Sequence, residues 1–179
     1  MARPGRVVLA GAVTGLLLVV FGRGMQTSTT TPVANVVPES IDIPSIEVDA
    51  PLMKLGLTKN GEVELPPYEK PKVAGWYTGS SVPGEKGASV IIGHVDTKTA
   101  PAVFYKLRQL RKGETFEVGR SDGKVVRFKV DEVEQVHKDR FPSERVYLED
   151  GLKLVTCGGK FDYANGEYLD NIIVYASEV

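Results

Sequence analysis

The chain contains few of the residues on which disulfide-stabilised and metal-binding proteins depend. Its 179 residues include one cysteine and two histidines, so an intramolecular disulfide is impossible and no zinc-ligand spacing is present. Its 22 lysines and arginines nearly balance 23 acidic residues, whereas nucleic-acid-binding surfaces are strongly basic. No internal repeat or EF-hand pattern occurs. We therefore expect no metal, no cofactor and no nucleic-acid partner.

Long apolar runs are also absent, apart from one near the N-terminus. Residues 7–21 are uncharged and mostly apolar, with Arg3 and Arg6 before them and Arg23 after them. A membrane-spanning helix normally needs about 20 such residues, so the run also fits the apolar part of a signal peptide. No convincing A-x-A cleavage site follows, which favours an uncleaved anchor. The side with more positive charge stays cytoplasmic, and here that is the N-terminal side with its two arginines. We therefore predict a single-pass membrane protein with a cytoplasmic N-terminus and an extracellular domain.

Three regions follow from the composition. Residues 1–24 form the hydrophobic anchor helix or signal segment, and residues 25–39 are rich in Thr, Pro and Val without helical periodicity. Such a segment is typical of an extended linker. We place the folded catalytic domain at residues 40–179.

The whole chain contains 19 glycines and 11 prolines, which favour turns. Within the domain, the apolar segments are short. Asn60-Gly61 and Asp122-Gly123 predict hairpin turns, and apolar residues at helical spacing predict one short helix over 101–110. About eight strands with one or two short helices predict a mainly β fold, a closed or nearly closed barrel. The predicted strand segments are 41–43, 46–48, 52–57, 73–77, 88–92, 115–118, 125–130, 131–136, 152–157 and 168–176.

The single cysteine is the first candidate for chemistry. A free thiol in an exported domain is open to oxidation, although free cysteines are most often buried in cores and the count alone favours that role. Cys157, however, lies at the exit of a predicted strand beside Gly158 and Gly159. Functional residues are commonly placed where strands pass into loops. A nearby imidazole would promote the thiolate that a nucleophile needs.

Two histidines could supply that imidazole. His94 follows the apolar segment 88–92 at a strand end, whereas His137 lies in a charged stretch typical of an exposed surface. We therefore favour His94. Asp96 could orient its ring as a triad carboxylate does, although a turn or helix-capping role is the commoner one for such a residue.

These segments together resemble the sortase family of cysteine transpeptidases. Residues 88–96 (ASVIIGHVD) resemble its histidine motif, and residues 154–159 (LVTCGG) resemble its cysteine-bearing strand. The Cys-Gly-Gly and Tyr-x-Asp-Asn patterns are most similar to the class F group of actinobacterial sortases. The resemblance covers residues 40–179. Supporting similarities are 41–44 (IDIP), 75–77 (GWY), 102–107 (AVFYKL) and 141–143 (FPS).

The resemblance implies a sortase β-barrel and a transpeptidation reaction. Cys157 would cleave a Leu-Pro-x-Thr-Gly-like signal of a surface protein between Thr and Gly through a thioacyl intermediate. His94 would act as the acid and base, and Thr156 would help to position the substrate backbone. The acceptor would be an amine of a cell-wall precursor or of a pilin.

One departure from the family concerns its arginine, which stabilises the oxyanion from the strand after the cysteine. No arginine follows Cys157 in this chain. Alignment of the last strand places Asn171 in that position, with Leu169 as the other possible slot. An asparagine can donate to an oxyanion, worth about 3 kcal/mol in well-organised sites. Arg140 or Arg145, before the cysteine strand, could contribute instead.

Two alternatives stay open at this point. A peptidoglycan L,D-transpeptidase is also an extracellular cysteine enzyme, but its signature usually places an arginine soon after the cysteine, which this chain lacks. The missing arginine also fits a sortase-like barrel that binds sorting signals without catalysis, or hydrolyses them weakly.

Overall fold

The computed structural model describes residues 35–179. The predicted N-terminal anchor, and the predicted linker as far as residue 34, lie outside the described residues. No helix within residues 35–179 has the length and apolar character needed to cross a membrane.

Eight strands and a few short helices make up the described part of the chain. The strands are β1 Pro38–Ile43, β2 Val48–Leu55, β3 Ala74–Tyr77, β4 Ala88–Ile92, β5 Thr115–Arg120, β6 Val125–His137, β7 Gly151–Asp162 and β8 Glu167–Glu178. The helix α1 spans Ser143–Tyr147, and 3₁₀ turns occupy Pro44–Ile46, Leu107–Gln109 and Lys138–Arg140. The strands close into a barrel in the order β1-β2-β3-β4-β7-β8-β6-β5. The prediction of a mainly β closed barrel of about eight strands is therefore confirmed.

Apolar side chains cover two faces of the sheet around β4, β7 and β8. Alternate residues such as Leu154 and Ile172 fill the barrel interior. The residues between them, such as Val155 and Ile173, form a second cluster on the outside, which Val146 of α1 covers. Burial on both faces explains why β4 is apolar at four of its five positions, all but Ser89, instead of alternating.

The predicted helix over 101–110 is wrong for most of its length. Val103 and Phe104 are buried as the helical spacing requires. The backbone hydrogen bonds within the segment, however, join residues three apart, as from the Leu107 N–H to the Phe104 carbonyl. They form successive turns, whereas an α-helix joins residues four apart. A 3₁₀ turn at Leu107–Gln109 is the helical structure that forms.

Gly93 links β4 to the loop that follows and lies tightly against that loop. A Cβ atom added there would lie 2.6 Å from both Phe104 Cδ2 and Val103 Cγ1. A side chain of any size would therefore push the loop away from the end of β4.

We predict that Gly93→Ala lowers the free energy of unfolding by about 1–3 kcal/mol, the usual cost of overpacking a core. Chemical denaturation followed by tryptophan fluorescence would measure it. Gly56→Ala is the matched control, because its Cβ would meet no atom closer than the Glu64 carboxylate end, at 3.3 Å. Equal stability of the two variants would contradict the prediction.

Candidate active site

The parallel pairing of β4 with β7 brings His94 and Cys157 to the same place. Ile92 pairs with Val155, and the ladder continues as the Gly93 N–H donates to the Val155 carbonyl at 3.1 Å. Continued for two residues, the same register would align His94 with Cys157. Two residues 63 positions apart in the sequence therefore lie at the ends of adjacent parallel strands, at one edge of the barrel.

Asn171 is the cross-strand partner of Cys157 in the antiparallel pair of β7 and β8. Partners in such a pair carry their side chains on the same face, with Cβ atoms about 5 Å apart. Strand alternation puts both residues on the face of Val155 and Ile173, which belong to the outer cluster. The thiol and the amide therefore face the outside of the barrel.

Thr156 occupies the opposite face. It follows the alternation of Leu154 into the interior, its side chain is 3% exposed, and its hydroxyl has no hydrogen-bond partner within residues 35–179. The substrate contact expected of Thr156 therefore cannot come from its side chain in this arrangement. Its backbone is the part that borders the thiol.

His94 is held by a backbone carbonyl. Its ring is buried, and Nε2 lies 2.6 Å from the Pro66 oxygen. A carbonyl accepts hydrogen bonds but cannot donate them, so Nε2 carries the proton. In the neutral ring Nδ1 is then the nitrogen that can accept a proton.

Tyr68 covers the imidazole. The two rings stack with centroids 4.2 Å apart and planes 16° apart, although Tyr68 itself is 63% exposed. Neither of two surface hollows, of about 280 and 390 Å³, is lined by His94 or Cys157. The connection between β2 and β3 therefore closes over His94. Sequence analysis missed this contact, because nothing local marks Tyr68 or Pro66 as a partner of a residue that lies more than 25 positions away.

Asp96 binds the hydroxyl of Tyr168, whereas the sequence suggested the His94 ring as its possible partner. It accepts a hydrogen bond from the Tyr168 hydroxyl, which joins the loop after β4 to the start of β8. This bond, with a smaller contribution from burial, raises the pKa of Tyr168 to about 12. The hydrogen bond of the His94 ring goes to Pro66, so a carbonyl holds the imidazole where a triad would use a carboxylate.

The electrostatic surroundings of the thiol oppose its ionisation. Burial raises the pKa of Cys157, and the negative charges of Asp96 and Glu167 raise it further. The positive charge of Lys138 acts in the other direction and lowers the pKa. A free cysteine already ionises with a pKa of about 8.5, so the resting residue is a thiol at neutral pH and needs a base to react.

His137 lies on the other face of the sheet from Cys157. It pairs with Asp170 on β8, and Asp170 pairs with Gly158 on β7. Gly158 is the residue after Cys157, and adjacent residues of a strand face opposite sides. Its Nδ1 accepts from the Asp139 N–H in the exposed turn after β6. The geometry therefore agrees with the choice of His94.

The two arginines before β7 differ in position. Arg145 lies over the Tyr175 ring at 3.6 Å and forms ion pairs with Glu132 and Glu134. Tyr175 is four residues along β8 from Asn171, about 13 Å at the usual rise of a strand. Arg145 is thus bound away from the thiol, while Arg140 is exposed in the turn after β6. No group of three potential metal ligands occurs within residues 35–179.

We predict that Tyr68→Ala accelerates the reaction of His94 with diethyl pyrocarbonate several-fold, because the stacked ring now shields the imidazole. With two histidines in the chain, each adduct can be assigned by peptide mass spectrometry. His137, whose side chain is 46% exposed, serves as an internal standard and should react at the same rate in both proteins. Tyr163→Ala, at a residue that is 90% exposed, is the control variant. An unchanged rate at His94 would show that Tyr68 does not shield it.

Comparison with known proteins finds sortases, both by family model and by structure. The family model described as the sortase domain matches residues 41–179. Sortase C-1 from Actinomyces oris is similar in structure, with 26% identity, a TM-score of 0.60, and coverage of 78% of this chain and 72% of that one. Sortase C from Streptococcus pneumoniae has 25% identity, a TM-score of 0.58, and coverage of 79% and 68%.

Class A sortases share the fold as well. A lid mutant of sortase A from Corynebacterium diphtheriae has 22% identity and a TM-score of 0.58, and covers 80% of this chain and 70% of that one. A comparison with curated protein sequences found no match.

Proposed function

Because this chain belongs to the sortase family, whose domain model matches residues 41–179, we propose that it is a cysteine transpeptidase acting on the sorting signals of surface proteins. The observation that supports this most directly is the β4–β7 register, in which Ile92, two residues before His94, pairs with Val155, two residues before the single cysteine of the chain. Asn171 joins them from β8. A nucleophile, a base and a neutral donor therefore share one outward-facing row.

The proposed reaction has two steps. In the first, His94 Nδ1 accepts the Cys157 proton, and Sγ attacks the threonine carbonyl of a Leu-Pro-x-Thr-Gly-like signal. The carbonyl–nitrogen bond breaks as His94 returns the proton to the leaving glycine amine, which leaves a thioester. In the second, an acceptor amine attacks the thioester and gives its proton to His94, so that a new amide forms and the thiol is restored.

The Pro66 carbonyl suits this cycle. It accepts from Nε2–H in the neutral ring, and it also accepts when both nitrogens are protonated, so the same contact orients His94 in both states. Tyr68 covers the imidazole, and the bound peptide must displace it. We therefore propose that the connection between β2 and β3 opens when the sorting signal binds.

The acceptor and the cellular context extend the proposal. The sortase C from Streptococcus pneumoniae has pilin substrate specificity, and a pilin amine is one acceptor that we propose for this chain; an amine of a cell-wall precursor is the other. We also propose that the chain belongs to the class F group of sortases, because of its class F-like motifs. We further propose that residues 1–24 anchor the protein in the cell membrane with the domain outside.

The alternative is a sortase-like domain that binds sorting signals without cleaving them. Two observations favour it: no arginine follows Cys157, and Tyr68 lies on His94. The two functions differ in whether a covalent bond to the thiol forms.

We predict that incubation with a Leu-Pro-x-Thr-Gly peptide yields an acyl adduct on Cys157 and releases the glycine-terminated fragment. Intact-protein mass spectrometry detects both. Cys157→Ala should form no adduct, and His94→Ala should form it far more slowly, whereas His137→Ala should behave as wild type. Peptide that binds but stays intact across a set of such signals would favour the binding domain instead.

We predict that Asn171→Ala slows acylation about 10²-fold, the usual cost of losing one oxyanion donor. Rapid-quench measurement of thioester formation would separate this from peptide binding. Asn165→Ala, in the turn between β7 and β8, is a matched control outside the row of the thiol. Unchanged acylation in Asn171→Ala would exclude the amide as the donor.

A further inference from the structure

The strand after the nucleophile lacks a positive charge near the thiol. The resemblance to the sortase family implies an arginine on this strand. The two positions of this chain that could correspond to it hold Leu169 and Asn171. Neither side chain can be charged. The neighbouring strand β6, however, ends in a cation. Val136 pairs with Asn171 and His137 pairs with Asp170. The next residue, Lys138, opens a 3₁₀ turn, and its ammonium pairs with Glu167 at the start of β8.

We propose that Lys138 takes the place of the missing arginine and stabilises negative charge at Cys157 during the reaction. This assignment rests on the proposed function and names a further residue for the same site. Lys138 would act through the electrostatic field at the sulfur, and not as a proton donor or acceptor.

Strand alternation supports the orientation. Val136 lies in the same row as Asn171 and Cys157, and it packs against the outer cluster. Lys138 follows the end of β6 and opens the 3₁₀ turn Lys138–Arg140, so the position of its charge is fixed by an ion pair and not by alternation along β6. Its Nζ donates to Glu167 Oε2 at 2.7 Å. Glu167 is two residues before Leu169 and faces the same side.

The charges around the thiol make Lys138 important. Asp96 and Glu167 both raise the pKa of Cys157, whereas Lys138 lowers it. The other polar groups at this edge of the barrel are Asn171, the cross-strand partner of the thiol, His94, whose Nε2 is bound to Pro66, and Tyr168, whose hydroxyl is bound to Asp96. Without the lysine, the thiolate would face two carboxylates with no fixed cation to offset them.

Other cations fit this role less well. Arg145 is paired with Glu132 and Glu134 and lies over Tyr175. Lys160 follows the cysteine but is exposed in the irregular part of β7. The side chain of Lys138 is 32% exposed, so its charge is less screened by water than that of a fully exposed residue. Lysine provides a point charge without the bidentate fork of arginine, and a charge is what a thiolate requires.

The pH dependence of Cys157 alkylation by iodoacetamide tests the assignment without any peptide. The chain has one cysteine, so the whole signal comes from the site. Lys138→Gln should slow alkylation about threefold or more at pH 7, since the thiolate loses a nearby positive charge. It should also move the midpoint of the pH profile upward. Lys138→Arg should restore the wild-type profile.

Glu167→Gln provides a test of opposite sign. Removal of this carboxylate eliminates its repulsion of the thiolate and releases Lys138, so the midpoint should move downward. Lys129→Gln, near the opposite end of β6, removes the same charge from an exposed position and should leave the profile unchanged. A purely structural role for Lys138 would not produce shifts of opposite sign in the two variants.

The assignment is overturned if Lys138→Gln keeps the wild-type profile, or if Lys129→Gln shifts it equally. A separate measurement follows thioester formation from a sorting peptide. Lys138→Gln should form the thioester more slowly than wild type, and Lys138→Arg should restore the rate. If the wild-type protein forms no thioester, the proposed function fails, while the alkylation profiles still decide whether Lys138 acts on the thiol.

Discussion

The site depends on the parallel pairing of β4 with β7. Both strands run to the same edge of the barrel, so a histidine that follows one and a cysteine near the end of the other are brought together by backbone hydrogen bonds. A slip of one residue would turn Cys157 into the interior and Thr156 outward. Two apolar clusters oppose such a slip, because β7 buries Leu154 on the inside and Val155 on the outside. The packing that stabilises the barrel therefore also determines that Cys157, and not Thr156, faces outward.

The same packing has a chemical cost. A thiol on a strand that is buried on both faces is well positioned but poorly solvated, and its pKa rises for that reason. The raised pKa also makes Cys157 less open to oxidation, since oxidation proceeds through the thiolate. Tyr68 adds to the effect by covering the base. The resting arrangement thus keeps the nucleophile protonated and the imidazole shielded, and we expect substrate binding to reverse both conditions.

Sequence patterns predicted the barrel because it depends on local periodicity and on where strands end, whereas the pairing of His94 with Cys157 stays a prediction. The position of Thr156 also follows from alternation, since adjacent residues in a strand face opposite sides. The helix expected over 101–110 failed because the same buried spacing is met by successive turns whose hydrogen bonds span three residues, and hydropathy carries no information on backbone bonding partners. The cover of His94 by Tyr68 was missed for the same reason. It arises in an irregular connection whose contacts are entirely long-range.

The absent arginine shows how a sheet can tolerate the loss of a charged side chain. Cross-strand neighbours on one face lie about 5 Å apart, a distance shorter than a lysine side chain. A cation at the end of β6 can therefore reach the space that a cation on β8 would fill, provided that it keeps the same face. Lys138 meets that condition through its ion pair with Glu167, which lies on β8 two residues before Leu169. The ion pair holds the charge beside the site but also partly neutralises it. Burial raises the pKa of Cys157 most, and the charges of Lys138 and Glu167 then change that pKa in opposite directions.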